Sequence, residues 1–170
     1  MNTLCFTGHR KIAGAYHGPA HVALRTTLIA VVKRACEKGF TNFISGGALG
    51  VDQIGAAAVL NVKQDGYPNI KLVVARPFPS QAVKWPAASQ RSFNTMCASA
   101  DVVKDVSPDP YAVWKMQKRN IWMVDQSNVV VAVWDGTKSG GTYNCIQYAL
   151  GKKKHVLVVH PTLLTETWIA

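Results

Sequence analysis

The sequence predicts an α/β protein with a mostly parallel sheet, because strand patterns and helix patterns alternate along the whole chain. The strand patterns are near-continuous apolar runs, which is typical of strands that are covered on both faces. Two glycine-rich turns, at 44–52 and 135–142, each follow such a run and each open a helical pattern. These observations indicate one doubly wound, Rossmann-like domain spanning residues 1–170.

Apolar runs rich in β-branched and aromatic residues predict the strands. There are six of them: Thr3–Thr7, Asn42–Ser45, Ile70–Ala75, Asp101–Val106, Val129–Trp134 and His155–His160. The segments between them have helical spacing of apolar residues. The predicted helices are Ala20–Lys38, Val51–Gln64, Ser80–Ala100, Tyr111–Gln126 and Thr142–Gly151. In an open α/β sheet, ligands bind beyond the carboxyl ends of the strands, so both glycine turns are expected to border one crevice.

Composition favours an anionic partner. The 170 residues carry a formal net charge of +10, from 19 Lys and Arg against 9 Asp and Glu. The four cysteines are widely separated and form no C-x-x-C or zinc-ligand pattern, so neither a metal nor another cofactor is expected. The chain has no apolar stretch near the roughly 20 residues that span a bilayer and no signal-peptide pattern, so a cytoplasmic location without membrane contact is expected.

The first candidate site residues follow the first two strands. Gly8, His9 and Arg10 end the first strand, where Gly8 permits a tight turn and Arg10 could bind phosphate through a bidentate contact. The second turn contains Ser45, Gly46, Gly47, Ala48 and Gly50, and the helix that follows has Asp52 in its first turn. A helix N-terminus attracts anions, although Asp52 also fits simple capping. The turn lacks the G-x-x-x-x-G-K-[ST] pattern of a Walker-type triphosphatase.

Two further segments supply polar groups. The predicted helix 111–126 carries Arg119, Asn120 and Asp125, which either reach the crevice or form a solvated face. The last glycine turn has Asp135 at the strand exit, where it could accept a hydrogen bond from a ribose hydroxyl or simply form an Asp-Gly turn. The backbone N–H groups and hydroxyls of this turn suit a phosphate nest. They belong to Ser139, Gly140, Gly141 and Thr142.

These motifs resemble the YpsA-like branch of the SLOG superfamily, which is related to the LOG phosphoribohydrolases and to the DNA-processing protein A fold. The resemblance covers nearly the whole chain, through Gly8-His9-Arg10, 44–52, 119–125 and 133–142 in consecutive order. It implies a Rossmann-like domain that binds nucleotides, that associates into oligomers, and whose pocket is built from these motifs. Matched to the LOG pattern P-G-G-x-G-T-x-x-E, this chain has Cys145 at the position of the catalytic Glu. The resemblance therefore argues against hydrolysis.

Three functions remain open at this point. The first is binding of a nucleotide or an ADP-ribose-like signal, as a sensor or by sequestration. The second is cleavage of a nucleoside 5′-monophosphate at its glycosidic bond, for which Asp52 or Asp125 would supply the carboxylate and Asp135 is a further acidic candidate. The third is binding of single-stranded nucleic acid, which draws on the positive charge and on tryptophans that a core or small-ligand pocket could equally use.

Overall fold

The computed structural model describes residues 2–170 and has one sheet of seven strands in the order β4-β3-β2-β1-β5-β6-β7. The first six strands are parallel and β7 pairs antiparallel with β6. The strands are β1 Thr3–Gly8, β2 Asn42–Ser45, β3 Lys71–Arg76, β4 Val102–Asp105, β5 Val129–Val133, β6 His155–Val159 and β7 Glu166–Trp168. The doubly wound α/β class predicted from the sequence is confirmed.

Five helices cover the sheet, and two separate apolar clusters show that they do so on both faces. Their bounds are α1 Pro19–Glu37, α2 Val51–Gln64, α3 Ala87–Ser99, α4 Val113–Asp125 and α5 Gly140–Gly151. One cluster joins α1, α2 and α3 to side chains such as Phe6 and Leu72, and the other joins α4 and α5 to Cys5 and Val130. Alternate residues of β1 and β5 therefore face opposite layers.

One predicted helix, 80–100, differs from the structure by more than two residues, and one strand was not predicted. Residues 80–86 form turns, and α3 begins only at Ala87, because Pro86 lacks the N–H that a helix interior needs and disfavours the α conformation in Trp85. The strand β7 was not predicted from the sequence, because its three residues are too few to show a strand period. None of the helices within residues 2–170 is long and apolar enough to cross a membrane.

The strand order places a topological switch point at β1, which pairs with β2 on one side and with β5 on the other. The chain first builds the sheet outward from β1 to β4 and then returns to add β5 beside β1. Loops that leave β1 and β5 diverge to opposite faces at such a point, and a crevice opens between them. Most of the predicted site residues lie in or next to these loops and the neighbouring β2–α2 turn, whereas Arg119, Asn120 and Asp125 lie on α4.

Candidate functional site

A cavity of about 240 Å³ lies at the carboxyl ends of β1, β2 and β5. We call it the strand-edge cavity. Its lining comes from the β1–α1 loop, the β2–α2 turn, one face of α4 and the first turn of α5. The lining residues are Thr7, Gly8, His9, Arg10, Ala48, Asp52, Met116, Arg119, Asn120, Gly141 and Thr142. Segments far apart in the sequence thus meet at one concave surface.

The turn between β2 and α2 presents Asp52 to this cavity. Ser45 is buried, donates its hydroxyl to the Asp52 carbonyl over 2.6 Å and accepts the Gly47 N–H over 3.1 Å, so it shapes the turn. The Asp52 carboxylate accepts the Ala48 N–H through Oδ2 over 3.3 Å. Burial raises the pKa of Asp52, while Arg119 and the Ala48 N–H act in the opposite direction. Asp52 is therefore a carboxyl group held inside the protein and facing the cavity.

Arg119 reaches the cavity from α4, but most of its donors are directed to the protein. Its Nη1 donates to the carbonyls of Gly46 and Ala75, the latter over 3.1 Å, and its Nε donates to Asn120 Oδ1 over 2.9 Å. Its Nη2 lies 3.9 Å from Asp52 Oδ2. Only 4% of Arg119 is exposed, so the solvated-face alternative for this residue is excluded. The guanidinium fixes α4 to the β2–α2 turn and compensates the charge of Asp52.

Arg10 differs from Arg119 because its side chain is exposed and forms no ion pair within residues 2–170. It lines the same cavity as the α5 N-terminus, where Gly141 and Thr142 lie in the first helical turn. That turn contains no acidic residue, and the N-cap Ser139 makes no side-chain cap hydrogen bond. An unpaired guanidinium and an uncapped helix N-terminus together form an anion-attracting end of the cavity.

His9 and Asp135 form the rim next to this end. His9 Nε2 lies 3.3 Å from Asp135 Oδ1 and 3.3 Å from the Asp135 backbone N. The Asp135 carboxylate also accepts the Thr137 N–H over 2.9 Å, and hydrogen bonding with Thr137 holds the pKa of Asp135 below its usual range. Asp135 is thus an ionised turn residue that contacts a cavity-lining histidine without lining the cavity itself.

Several predicted site residues lie outside the cavity lining. Gly47 packs against Phe93 and Val74, and Gly50 faces a different groove. Gly46 contributes its carbonyl to Arg119, and a Cβ at this position would overlap the guanidinium. Ser139 and Gly140 are exposed at the entrance to α5. These residues form and support the turns, and Ala48 is the member of 45–50 that lines the cavity.

Asp125 is also placed away from the cavity. It ends α4, and its Oδ1 accepts the hydroxyl of Tyr148, on α5, over 2.9 Å. The phenol supplies the partner that a carboxylate near a helix C-terminus requires. Asp52 is therefore the one proposed catalytic carboxylate that lines the strand-edge cavity.

Met116 and Thr7 were not predicted as site residues, although both line the cavity. Met116 precedes Arg119 by nearly one helical turn, and this spacing could have indicated it once the functional face of α4 was known. Cys145, at the position matching the LOG glutamate, is buried next to Thr7, and burial raises its pKa to about 11. It is a neutral thiol at neutral pH and supplies no negative charge.

Comparison with known proteins agrees with this architecture. A 36% identical relative is the "Uncharacterized SPbeta prophage-derived protein YoqJ" of Bacillus subtilis, with 77% of this chain and 82% of that protein aligned. The UPF0398 protein ABC2016 of Shouchella clausii is 30% identical over 98% of this chain and 91% of its own length. The UPF0398 protein YpsA of Bacillus subtilis is 25% identical over 76% of this chain and 67% of its own length.

Two solved structures share the fold. One is DNA processing protein A from Helicobacter pylori, in a structure reported for its single-stranded DNA binding mode. It matches this chain with a TM-score of 0.63 at 18% identity. The Streptococcus pneumoniae protein has a TM-score of 0.66 at 16% identity. Each comparison covers 93% of this chain, which spans 65% and 50% of those chains, respectively. The family model YpsA, described as the YspA SLOG family, matches residues 4–162, and the chain therefore belongs to this family.

Proposed function

We propose that the strand-edge cavity binds a nucleotide or a nucleotide-derived ligand, such as an ADP-ribose-like signal, with little or no turnover. The observation that supports the proposal is that one cavity contains both an anion-attracting end and a carboxylate. Arg10 and the uncapped α5 N-terminus suit a phosphate group, whereas the Asp52 carboxylate suits hydroxyl donors such as those of ribose. Membership of the SLOG family supports the same assignment.

The size of the cavity limits how much of the ligand it encloses. Its volume of about 240 Å³ is slightly below the roughly 300–1,000 Å³ of typical ligand pockets. In this proposal a phosphate and a ribose occupy this space, and the remaining part of a dinucleotide-sized ligand extends over the rim formed by His9 and Asp135. The proposed role is therefore recognition of the phosphate–sugar portion, as sensor or sequestering protein.

Calorimetric titration with ADP-ribose and AMP tests the proposal. We expect binding by the unaltered protein and about tenfold or greater weakening in Arg10→Ala, because a charge-assisted hydrogen bond contributes about 1.5–3 kcal/mol. The matched control is Lys152→Ala, which removes one positive charge at the opposite end of α5. Equal affinities in the unaltered protein and Arg10→Ala would contradict this site assignment.

A nucleoside 5′-monophosphate N-glycosidase is the second candidate, because Asp52 supplies a carboxylate inside the cavity. A carboxylate there could stabilise positive charge at the anomeric carbon. The neutral thiol of Cys145 argues against efficient turnover, because it occupies the position at which the related phosphoribohydrolases have glutamate. A chromatographic assay of adenine released from AMP distinguishes binding from hydrolysis. Efficient turnover that is abolished by Asp52→Asn would replace the binding function with the enzymatic one.

Single-stranded nucleic acid is the third candidate ligand. The supporting observations are the exposed Trp114, with the ammonium groups of Lys115 and Lys118 lying 5.5 and 5.7 Å from the ring centroid, and the DNA-binding structural neighbour. Fluorescence anisotropy with a labelled oligothymidine tests this candidate. Salt-sensitive binding that Trp114→Ala weakens and Arg10→Ala leaves unchanged would support it over nucleotide binding.

A further inference from the structure

A groove of about 630 Å³ lies beside the strand-edge cavity but shares none of its lining residues. We call it the α1–α2 groove. It is formed by the loop before α1 and by parts of α1, α2 and α3. Its walls include Tyr16, His17, His21, Leu49, Ile54 and Pro86. The volume falls within the roughly 300–1,000 Å³ range of small-molecule sites.

A thin wall of backbone separates the groove from the strand-edge cavity. Ala48 lines the cavity, whereas Leu49 and Gly50 line the groove. Gly50 lies so close to the β1–α1 loop that a Cβ would overlap the carbonyl oxygen of Arg10. The next residue, Val51, donates its N–H to the His9 carbonyl over 3.1 Å. The two spaces are adjacent but distinct.

The lining of the groove suits a flat apolar group. Leu49, Ile54 and Pro86 provide aliphatic surface, and the imidazole rings of His17 and His21 lie 6.3 Å apart at an interplanar angle of 34°. At this separation the two rings form an aromatic pair, which a further aromatic ring can extend. The groove therefore has the apolar and aromatic surface of an aromatic-ring site.

His21 lines the groove with a neutral ring. Both of its ring nitrogens are buried, and neither has a hydrogen-bond partner within residues 2–170. Burial and the nearby His17 lower the pKa of His21, so the ring is neutral at neutral pH. Because its nitrogens are closed to solvent, this neutral ring extends the apolar wall of the groove and offers a ligand no polar contact.

The charge of the groove favours an anion. Arg25 lines it and forms no ion pair within residues 2–170, and its lining contains no Asp or Glu. Ala88 and Ser89, in the first turn of α3, lie on the opposite wall, and this helix begins without a side-chain cap or an acidic residue. A negative group would therefore meet both a free guanidinium and a positive helix end.

We propose that the α1–α2 groove is a second ligand site, which binds a planar aromatic ring carrying an anionic group. This site goes beyond the proposed nucleotide function, because it uses other residues and does not require the strand-edge cavity to be occupied. Its recognition elements are the apolar walls, the imidazole rings of His17 and His21, and Arg25.

The probe is 8-anilinonaphthalene-1-sulfonate, a fluorescent aromatic anion, compared with its uncharged analogue N-phenyl-1-naphthylamine. We expect the anion to bind the full chain with one site per chain and at least about tenfold more tightly than the neutral analogue. The ¹⁵N signals of the His21 ring should shift when the anion binds. Equal affinity for both probes, or unchanged His21 signals, would overturn the proposal.

Two variants and a matched control test the location. Arg25→Ala removes the cation, and Ala57→Glu introduces a repelling charge into the groove; each should weaken binding of the anion about tenfold or more. Asn61→Glu adds the same charge on α2 outside the groove lining and should leave affinity within about twofold. Circular dichroism checks that each variant is folded. Unchanged affinity in folded Arg25→Ala and Ala57→Glu would exclude this groove.

A final comparison separates this proposal from the nucleotide function. Arg10→Ala should weaken ADP-ribose binding but leave binding of the naphthalene sulfonate unchanged, whereas Arg25→Ala should do the reverse. If ADP-ribose displaces the probe and Arg10→Ala weakens binding of both ligands, the probe binds in the strand-edge cavity. This result would overturn the second site. Failure of ADP-ribose alone to bind would contradict the nucleotide function and leave the groove result standing.

Discussion

Asp52 is the residue of the candidate site on which burial and nearby charges act in opposite directions. Burial raises the pKa of its carboxyl, and Arg119 and the Ala48 N–H partly offset that effect. The position in the first turn of α2 further favours a negative charge. Carboxyl groups whose pKa is perturbed by burial and by a specific charged partner are common at functional sites.

We predict that ADP-ribose affinity falls as the pH is lowered through the raised pKa of Asp52, an interval above 3.8. Below this pKa the carboxyl is protonated and loses acceptor capacity for a ribose hydroxyl. Asp52→Asn should bind more weakly at neutral pH and lose this pH dependence. Calorimetry across the pH range, with Asp135→Asn as the control, measures both effects. A pH profile that is identical in Asp52→Asn would contradict the role of Asp52.

Arg119 yields a prediction about stability. Replacing it with Gln leaves Asp52 uncompensated and removes donors from the Gly46 and Ala75 carbonyls, so we expect a loss of about 3–5 kcal/mol of unfolding free energy. Arg10→Gln, on an exposed side chain, should change stability by less than about 0.5 kcal/mol. Urea denaturation followed by circular dichroism measures both. A small effect of Arg119→Gln would mean that its contacts contribute little to the fold.

At the scale of elements, the β2–α2 turn forms the wall between the strand-edge cavity and the α1–α2 groove. Its backbone passes from Ser45, which is buried, to Gly50, which has a φ of 86° and contacts the β1–α1 loop. This turn therefore fixes the start of α2 and the position of Asp52 relative to Arg10. The turn glycines Gly46, Gly47 and Gly50 let segments approach closely, because a Cβ at each position would overlap a neighbouring segment.

We predict that Gly50→Ala destabilises the protein more than Gly14→Ala does. Both glycines have positive φ, 86° and 73°, so both substitutions incur a backbone cost of about 1–3 kcal/mol. Only at Gly50 would the new Cβ also overlap the Arg10 carbonyl, since Gly14 has nothing within 4 Å. Thermal and urea denaturation of the two variants compares them. Equal losses would show that close packing at Gly50 is unimportant.

At the scale of the whole molecule, apolar side chains remain exposed at the β7 end of the sheet. Leu163 is 71% exposed, Trp168 56% and Ile169 42%. We propose that residues 1–170 act as one nucleotide-binding domain that associates through surfaces of this kind. A flat edge strand with exposed large apolar residues is a common place for subunits to meet.

We predict a dimer or larger assembly at micromolar concentration, measured by size-exclusion chromatography with light scattering. Trp168→Glu should shift it toward monomer if the β7 edge forms the contact, because a charge would then be buried in an apolar interface. Trp114→Glu is the matched control, since Trp114 is similarly exposed on α4. A monomeric unaltered protein would contradict oligomer formation.

The sequence by itself determined the α/β class, the order of β1 to β6 along the chain and most of the segments that border the strand-edge cavity, because buried parallel strands and helices leave distinct apolar periods. The tertiary structure decided which individual groups face the strand-edge cavity. Contacts between distant segments place Arg119 against Gly46 and pair Asp125 with Tyr148, whereas Arg10 has no ion pair within residues 2–170. Such contacts have no local sequence period, and neither do the short β7 strand and the α1–α2 groove, so only the folded chain reveals them.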